Sequence, residues 1–186
     1  MINNQIDCLI CNKEEWSPFA VVDHKIVSFK LTICDNCGFV IQNPPFSIDY
    51  LNKYYNNNYI ENNYGNDIST IHKTFEPVDE SRIQYLIKNN LLSDLNNVLE
   101  IGPGAGTMMK KLKNKGIDVI GIEPDTNAAN WLKKNINDKI YNGFFDEIYS
   151  NNVNKWSKEQ FDAVIFFHVL EHIHDPIKFL LKIKKI

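Results

Sequence analysis

The sequence predicts an α/β fold in which a parallel, doubly wound sheet follows a small β module. A short apolar strand, Asn97–Ile101, runs directly into a glycine-rich turn and a helix. Further apolar strands, at residues 117–122 and 161–167, alternate with helical segments, as the strands of a parallel sheet do. All four cysteines lie within the first 37 residues, in two Cys-x2-Cys pairs. The chain is therefore predicted to contain an N-terminal cysteine module and a C-terminal α/β domain.

Length and composition limit the class of protein. The chain has 186 residues, of which 44% are hydrophobic and 23% charged, as in a folded globular chain. The formal net charge is −3, which argues against a protein that binds nucleic acid mainly through a basic surface. No apolar run approaches the roughly 20 residues that cross a bilayer, and the N-terminus lacks the pattern of a secretory signal. We therefore expect a cytoplasmic protein without a membrane partner.

The cysteines have the spacing of a metal site. Cys8 pairs with Cys11, Cys34 pairs with Cys37, and 22 residues separate the pairs. A two-residue gap lets both sulfurs of a pair point at one tetrahedral metal, so four thiolates predict a structural zinc site. The apolar segments between the pairs predict a β-hairpin, which completes a zinc-ribbon-like module over residues 1–46. Two disulfides need an oxidising compartment and a redox Cys-x2-Cys motif uses one pair, so both alternatives are disfavoured.

Residues 47–92 form a connector rich in tyrosine and asparagine. Apolar residues at spacings of three and four predict a short helix within residues 46–60, and the stretch through Tyr59 and Tyr64 is predicted to be a loop. Pro77 is predicted to open a second helix. The tyrosines serve either as core residues or as lid residues, and the sequence favours the core.

Residues 93–186 carry the α/β pattern. Asn97–Ile101 is followed by the turn 102–106 (GPGAG) and a helix from Thr107, the order found at the nucleotide-binding start of a doubly wound sheet. The next strand ends in Glu123, and Asp125 is predicted to cap the helix after it. The remaining predicted elements are a faint third strand, a strong fourth strand and a basic C-terminal helix: residues 139–141, 161–167 and 176–186.

An alternative is an enzyme that binds a nicotinamide or flavin nucleotide. Its glycine fingerprint is G-x-G-x-x-G, which places a pyrophosphate at a helix N-terminus. The spacing here is G-x-G-x-G, and Glu100 lies in the preceding strand. A carboxylate there repels a pyrophosphate but suits a ligand that carries an amino group. The sequence therefore favours a ligand that carries an amino group over a nicotinamide or flavin nucleotide.

Three segments resemble motifs of class I S-adenosylmethionine-dependent methyltransferases. Residues 100–106 (EIGPGAG) resemble their first motif, residues 122–124 (IEP) the acidic end of their second strand, and residues 168–176 (HVLEHIHDP) the segment after their fourth strand. The cysteine pairs, the following Asn-Pro-Pro and the tyrosine-rich stretch resemble a subgroup with a cysteine-zinc module before the methyltransferase domain. Sugar C-methyltransferases share this order of parts. The resemblance implies a Rossmann-like methyltransferase sheet, with S-adenosylmethionine and Zn2+ as cofactors.

The resemblance also implies roles in cofactor binding. The turn glycines would pass under the methionine and ribose parts, and Glu100 would lie near the amino group. Glu123 would accept hydrogen bonds from both ribose hydroxyls, and Phe144 or Phe145 would flank the adenine. The implied cofactor-binding set is Glu100, Gly102, Gly104, Gly106, Glu123 and Phe144.

Methyl transfer to carbon or oxygen also needs a base that takes a proton from the acceptor. On a helix, His168 and His172 would share a face. The candidate catalytic residues are His168, Glu171, His172 and Tyr59.

The predicted sheet is incomplete beside this family. Only about four strands are predicted, fewer than in a complete class I domain, and the chain ends inside the helix after the fourth. We therefore expect a truncated chain with little activity alone, which a second polypeptide could complete by supplying the missing strands.

Three functions remain open at this stage. The first is a methyltransferase, or a fragment of one, acting on a small acceptor such as a nucleotide-linked sugar or surface-glycan precursor. The second is an RNA methyltransferase that grips RNA with its zinc module, which the excess of 23 acidic over 20 basic residues disfavours. The third is a catalytically silent cofactor-binding module that acts through a partner.

Overall fold

A computed structural model describes residues 7–24, 27–55, 59–65, 67–136, 139–159 and 161–186. The chain divides into two compact units, residues 1–50 and residues 51–186.

The first unit is built on an antiparallel sheet in the order β1-β2-β3. Strands β1 (Trp16–His24) and β2 (Val27–Cys34) form the hairpin predicted between the cysteine pairs, and Ile26, which belongs to the second apolar segment there, lies outside the described residues. The short strand β3 (Val40–Gln42) pairs with β2 and was not predicted. Pro18 lies in the edge strand β1 next to a register shift, and edge strands and bulges are where sheets tolerate proline.

Three helices follow: α1 (Ile48–Tyr55), α2 (Tyr59–Tyr64) and α3 (Ile68–Lys88). Helix α1 confirms the helix predicted within residues 46–60. The loop predicted through Tyr59 and Tyr64 is wrong, because these residues begin and end α2.

The predicted start of the second helix at Pro77 is also wrong, because α3 begins nine residues earlier at Ile68 and contains Pro77 in its interior. Asp67 caps the helix by accepting a hydrogen bond from the Thr70 N–H at 3.0 Å. Ile68 and Ile71 are buried in the first turn of the helix, before the proline. This capping and burial offset the roughly 3 kcal/mol that an interior proline costs.

The second unit contains the predicted parallel sheet, and the α/β fold class is confirmed. Its strand order is β6-β5-β4-β7, and every neighbouring pair is parallel. The strands are β4 (Asn97–Ile101), β5 (Asp118–Glu123), β6 (Ile140–Asn142) and β7 (Ala163–Ile165). The helices between and after them are α4 (Thr107–Asn114), α5 (Thr126–Asn135), α6 (Phe145–Glu159) and α7 (Pro176–Ile183). Helix α6 was not predicted, and β7 is shorter than the predicted strand.

Both faces of this sheet are covered by helices. On one face Val98 and Val119 pack in a cluster with residues of α3, α4 and α5, among them Ile83, Met109 and Leu132. On the other face Leu99, Ile101 and Ile122 pack with residues of α6 and α7, including Trp156 and Phe179. The carboxyl ends of β4 and β5 thus emerge between two packed layers. Among the described residues, no helix is both long and apolar enough to cross a membrane.

Candidate functional site

The glycine turn lies at the carboxyl end of β4, where ligands bind in open α/β sheets. Gly102 has a φ of 68° and its N–H donates to the Ile122 carbonyl at 2.9 Å. A Cβ on Gly102 would lie 2.8 Å from the Cγ2 of Val169, so only glycine fits beside the segment that follows β7. Gly106 has a φ of 73°, and its N–H closes the turn on the Pro103 carbonyl at 2.8 Å. The turn is thereby held between β5 and the segment after β7.

Glu100 is buried in the strand that leads into this turn, with 4% of its surface exposed. Its Oε2 atom has no hydrogen-bond partner among the described residues. Burial raises the pKa of Glu100 to about 8, the charges of Asp79 and Glu123 act in the same direction, and Arg82 opposes them. An unpartnered buried carboxyl oxygen is costly unless a ligand supplies the donor. The site therefore suits a ligand with a cationic or N–H group at this point.

Glu123 ends β5 and is as buried as Glu100. Its two oxygens accept backbone N–H groups, from Gly104 at 2.8 Å and from Asp125 at 2.9 Å. Burial raises the pKa of Glu123 to about 7, although both hydrogen bonds lower it. Each oxygen keeps a second lone pair, so ribose hydroxyls could still donate to it. Asp125 caps α5 as predicted, accepting the N–H groups of Asn127 and Ala128.

Helix α2 lies over the glycine turn. The Ile60 N–H donates to Oδ2 of Asp125 at 2.9 Å, and the Ile60 side chain lies beside Gly104. Tyr59 is half-buried at the start of this helix, and its ring lies 4.6 Å from that of Tyr55. Burial raises the pKa of Tyr59 to about 12, so its hydroxyl is protonated at neutral pH and is a hydrogen-bond donor.

The segment after β7 is not the helix on which His168 and His172 were expected to share a face. His168 lies at a bend with a φ of 55°, and only Leu170–His172 form a short 3-10 helix. The reason is local: a non-glycine residue in the left-handed region cannot continue a right-handed helix. Sparsely populated backbone conformations of this kind concentrate at functional sites.

The two histidines have different surroundings. The His168 side chain is 76% exposed, and its Nδ1 lies 3.3 Å from Oε1 of Glu171. The His172 ring lies 5.5 Å from the ring of Tyr55. Partial desolvation lowers the pKa of His172, the charge of His168 acts in the same direction, and Glu171 opposes both. His168 and Glu171 therefore form a dyad, while His172 joins the tyrosine cluster.

The two candidate adenine-flanking residues also differ. Phe145 is buried at the start of α6, with its ring 4.9 Å from that of Phe179, and belongs to the core. Phe144 is half-buried in the turn after β6. Of the two residues, only Phe144 has exposed side-chain surface that a ligand could contact.

Sequence reasoning missed two buried polar residues of α3, His72 and Asp79, which contact the glycine turn and the helix that follows it. His72 Nδ1 lies 2.7 Å from the Ala105 carbonyl oxygen, and Asp79 accepts the hydroxyl of Thr107. The signal was present as polar residues on the same helix face as Ile68 and Ile83. His72 lies before the predicted helix start at Pro77, whereas Asp79 lies in the predicted first turn, where negative charge suits the helix dipole without any tertiary contact.

The four cysteines of the first unit meet at one point. Their Sγ atoms all lie within 4.8 Å of one another, with Cys8 and Cys37, and likewise Cys11 and Cys34, 3.6 Å apart. Tetrahedral zinc with Zn–S bonds of about 2.3 Å holds its sulfurs about 3.8 Å apart. All four are free cysteines. The donor set and its spacing fit zinc.

Comparison with known protein families identifies the family of the second unit. Residues 68–186 match the family described as "Methyltransferase domain". The chain belongs to this family. The matched region of the methyltransferase domain begins at the first residue of α3 and contains the sheet, the glycine turn and the segment after β7.

Individual relatives of the methyltransferase domain are ribosomal RNA enzymes by name. "Ribosomal RNA small subunit methyltransferase A" of Clostridium botulinum (strain Loch Maree / Type A3) is 39% identical over 67 residues, which is 36% of this chain and 24% of the relative. "Probable ribosomal RNA small subunit methyltransferase A" of Methanosphaera stadtmanae is 30% identical over 105 residues, 56% of this chain and 37% of the relative. The chain thus spans about a quarter to about a third of the length of these relatives.

Proposed function

We propose that this chain is an S-adenosylmethionine-dependent methyltransferase whose cofactor binds at the carboxyl ends of β4 and β5. The observation that carries the proposal is the buried Glu100 with an unpartnered oxygen beside a glycine turn. A ligand with an ammonium group satisfies that oxygen and balances its charge. The family match over residues 68–186 supports the same activity.

Several residues of the chain prepare methyl transfer. S-adenosylmethionine, when bound, supplies a methyl group on a positively charged sulfonium. Glu100 would hold the amino group, Glu123 the ribose hydroxyls, and Gly102 allows close approach of the backbone. In-line displacement depends mainly on positioning, and a carbon or oxygen acceptor must also lose a proton. His168, oriented by Glu171, is the proposed base, and Tyr59 is a second candidate residue for contacting the acceptor.

The acceptor in this proposal is a small molecule, a nucleotide-linked sugar or related glycan precursor. The order of a cysteine module before a methyltransferase domain supports it, as does the net charge of −3. A second candidate acceptor is RNA, because the relatives that match part of the domain carry ribosomal RNA names. The excess of acidic residues weighs against RNA as the main acceptor.

The cysteine cluster is proposed to hold one structural zinc ion. Four thiolates fill a tetrahedral site, so no position remains for a water or a substrate. A three-stranded sheet of this size buries little apolar surface, and the metal would supply folding free energy.

Isothermal titration of the zinc-loaded chain with S-adenosylmethionine tests the cofactor assignment. We expect micromolar binding, in the common range of enzyme ligands. Glu123→Ala and the isosteric Glu100→Gln should each weaken it at least about tenfold. Glu76→Ala, on the exposed surface of α3, is the matched control and should leave affinity unchanged. A folded wild-type chain that binds no cofactor would refute the proposal.

A further inference from the structure

Helix α3 carries two polar residues on its buried face. Its buried residues are Ile68, Ile71, His72, Asp79 and Ile83. His72 and Asp79 are seven residues apart, which places them on one side of the helix two turns from each other. Histidine and aspartate are seldom fully buried without specific partners. Both find those partners at the glycine turn or at the first residue of the helix after it.

The His72 side chain binds the backbone of the turn. Its Nδ1 lies 2.7 Å from the carbonyl oxygen of Ala105, in the middle of the turn. A carbonyl oxygen only accepts hydrogen bonds, so Nδ1 of His72 is the donor in this contact. The other side of the ring packs near Trp131 of α5, at 5.3 Å between centroids. The imidazole is thereby fixed between α5 and the turn.

Asp79 binds the other end of the turn. Its Oδ2 accepts the hydroxyl of Thr107, the first residue of α4 and the neighbour of Gly106. Its Oδ1 accepts Nη1 of Arg82 at 2.7 Å. Arg82 in turn lies over the ring of Phe167, 4.5 Å from the centroid, one residue before His168. Asp79 therefore connects the glycine turn, α3 and the segment that follows β7.

We infer that His72 and Asp79 are positioning residues that clamp the glycine turn in its cofactor-binding conformation. This inference rests on the proposed function for its ligand, but the clamp itself concerns only contacts within the chain. A preformed turn spares the cofactor the cost of ordering several backbone torsions at binding. Neither side chain needs to touch the cofactor. Loss of either contact should therefore loosen the turn before it unfolds the domain.

The test combines cofactor affinity with hydrogen exchange of the turn. We expect His72→Phe and Asp79→Asn each to weaken S-adenosylmethionine binding about tenfold, and to speed amide exchange in a peptide covering residues 102–110 by a similar factor. His72→Asn should restore most of the affinity because its amide nitrogen occupies the same δ position as Nδ1. His72→Gln, with its nitrogen one atom farther out, should not.

Two controls separate clamping from general stability. Ile83→Val removes one buried methyl group from the same helix face, and Glu80→Gln removes the α3–α4 ion pair with Lys111 outside the turn. Both should keep the affinity within twofold at a temperature where every variant is folded by circular dichroism. Thr107→Val combined with Asp79→Leu should weaken binding no more than Asp79→Leu alone, because without the carboxylate the Thr107 hydroxyl has no bond to Asp79 left to lose.

The outcomes distinguish this inference from the proposed function. If the wild type binds no cofactor but the two clamp variants speed exchange in the turn, the proposed function fails and the clamp stands. If turn exchange and affinity in His72→Phe and Asp79→Asn stay within twofold of the wild type, the clamp is refuted. It is equally refuted if Ile83→Val gives the same losses, since general destabilisation then explains them.

Discussion

Glu100 and Glu123 place two buried carboxyl groups at the ends of neighbouring strands. The pKa of Glu100 is raised from its ordinary value of 4.5 to about 8, mainly by burial. Between those pH values the folded chain holds a proton that the unfolded chain releases. The free energy of unfolding therefore falls as the pH rises from about 4.5 to about 8. Glu123 lowers it in the same way between pH 4.5 and about 7. A bound cationic ligand would offset the cost of ionising these buried carboxyl groups.

Glu100→Gln should remove the pH-dependent part that belongs to Glu100. At pH 5 its melting temperature should be close to that of the wild type. At pH 8 it should be higher by a few degrees, equivalent to about 1 kcal/mol or more. Thermal unfolding from pH 5 to pH 8 measures this, with the exposed Glu76→Gln as control. A difference from the wild type that does not change with pH would contradict the assignment.

The His168–Glu171 dyad predicts a loss of turnover with intact cofactor binding. His168→Ala should lower kcat by about 10²-fold or more, the usual contribution of a general base. Glu171→Gln should lower it less, because the amide can still orient the imidazole. Rates with a labelled methyl donor and titration of the cofactor supply the two measurements. Full turnover by His168→Ala would remove His168 as the base.

At the scale of elements, Asp125 joins three segments of the second unit. Oδ1 caps α5, Oδ2 accepts the Ile60 N–H of α2, and the Asp125 N–H donates to Glu123 at the end of β5. The side chain is 1% exposed. The buried Asp125 carboxylate therefore holds α2 over the glycine turn and also fixes the start of α5.

Asp125→Ala should lower the free energy of unfolding by about 2–3 kcal/mol, of which the helix cap accounts for about 1–2 and the bond to α2 for about 1. Asp125→Asn keeps an oxygen for the cap but turns the other acceptor into a donor. It should lose about half as much. Urea unfolding of the three proteins measures this, and equal losses for both variants would argue against two separate contributions.

The cysteine module predicts a dependence of the first unit on metal. We expect about one zinc ion per chain, and Cys34→Ser should lose it. A chelator should then unfold the β1–β2 hairpin, because the apparent binding free energy of such sites, about 10–16 kcal/mol, exceeds what a small sheet supplies. Zinc analysis and NMR dispersion of residues 16–34 provide the readout. A hairpin that stays folded without metal would contradict the structural role.

At the scale of the whole molecule, the sequence predicts the sheet more reliably than the helices around it. Strands β4 and β5 were predicted because each is a short apolar run with a recognisable end: the glycine turn after β4 and Glu123 at the end of β5. Both features can be read from neighbouring residues. Helix α6 and the first half of α3 were missed because packing, not propensity, decides them. Ile68 and Ile71 outweigh Pro77, and the buried Trp156 holds α6 on the sheet.

The candidate site was predictable only in part. Glu100, Glu123 and the glycines could be named because they stand at the ends of predicted strands and in the turn between strand and helix, where the family resemblance implies cofactor-binding roles. The left-handed backbone of His168 and the contacts of His72 and Asp79 arise from tertiary packing, which no sequence window contains. The residue types of the site are therefore predictable from the sequence, whereas the side chains that hold the turn in place, His72 and Asp79, are not.

The charge of the whole chain separates the two candidate acceptors. A polyanion needs a cationic surface, and here 23 acidic residues exceed 20 basic ones. We expect a small-subunit ribosomal RNA fragment to bind no tighter than the non-specific range of about 1–100 µM at physiological salt, and to weaken steeply as salt rises. A labelled methyl group should instead appear in a nucleotide-sugar fraction. Stoichiometric labelling of the RNA, retained at high salt, would overturn this choice, because it requires specific contacts that outweigh the net repulsion.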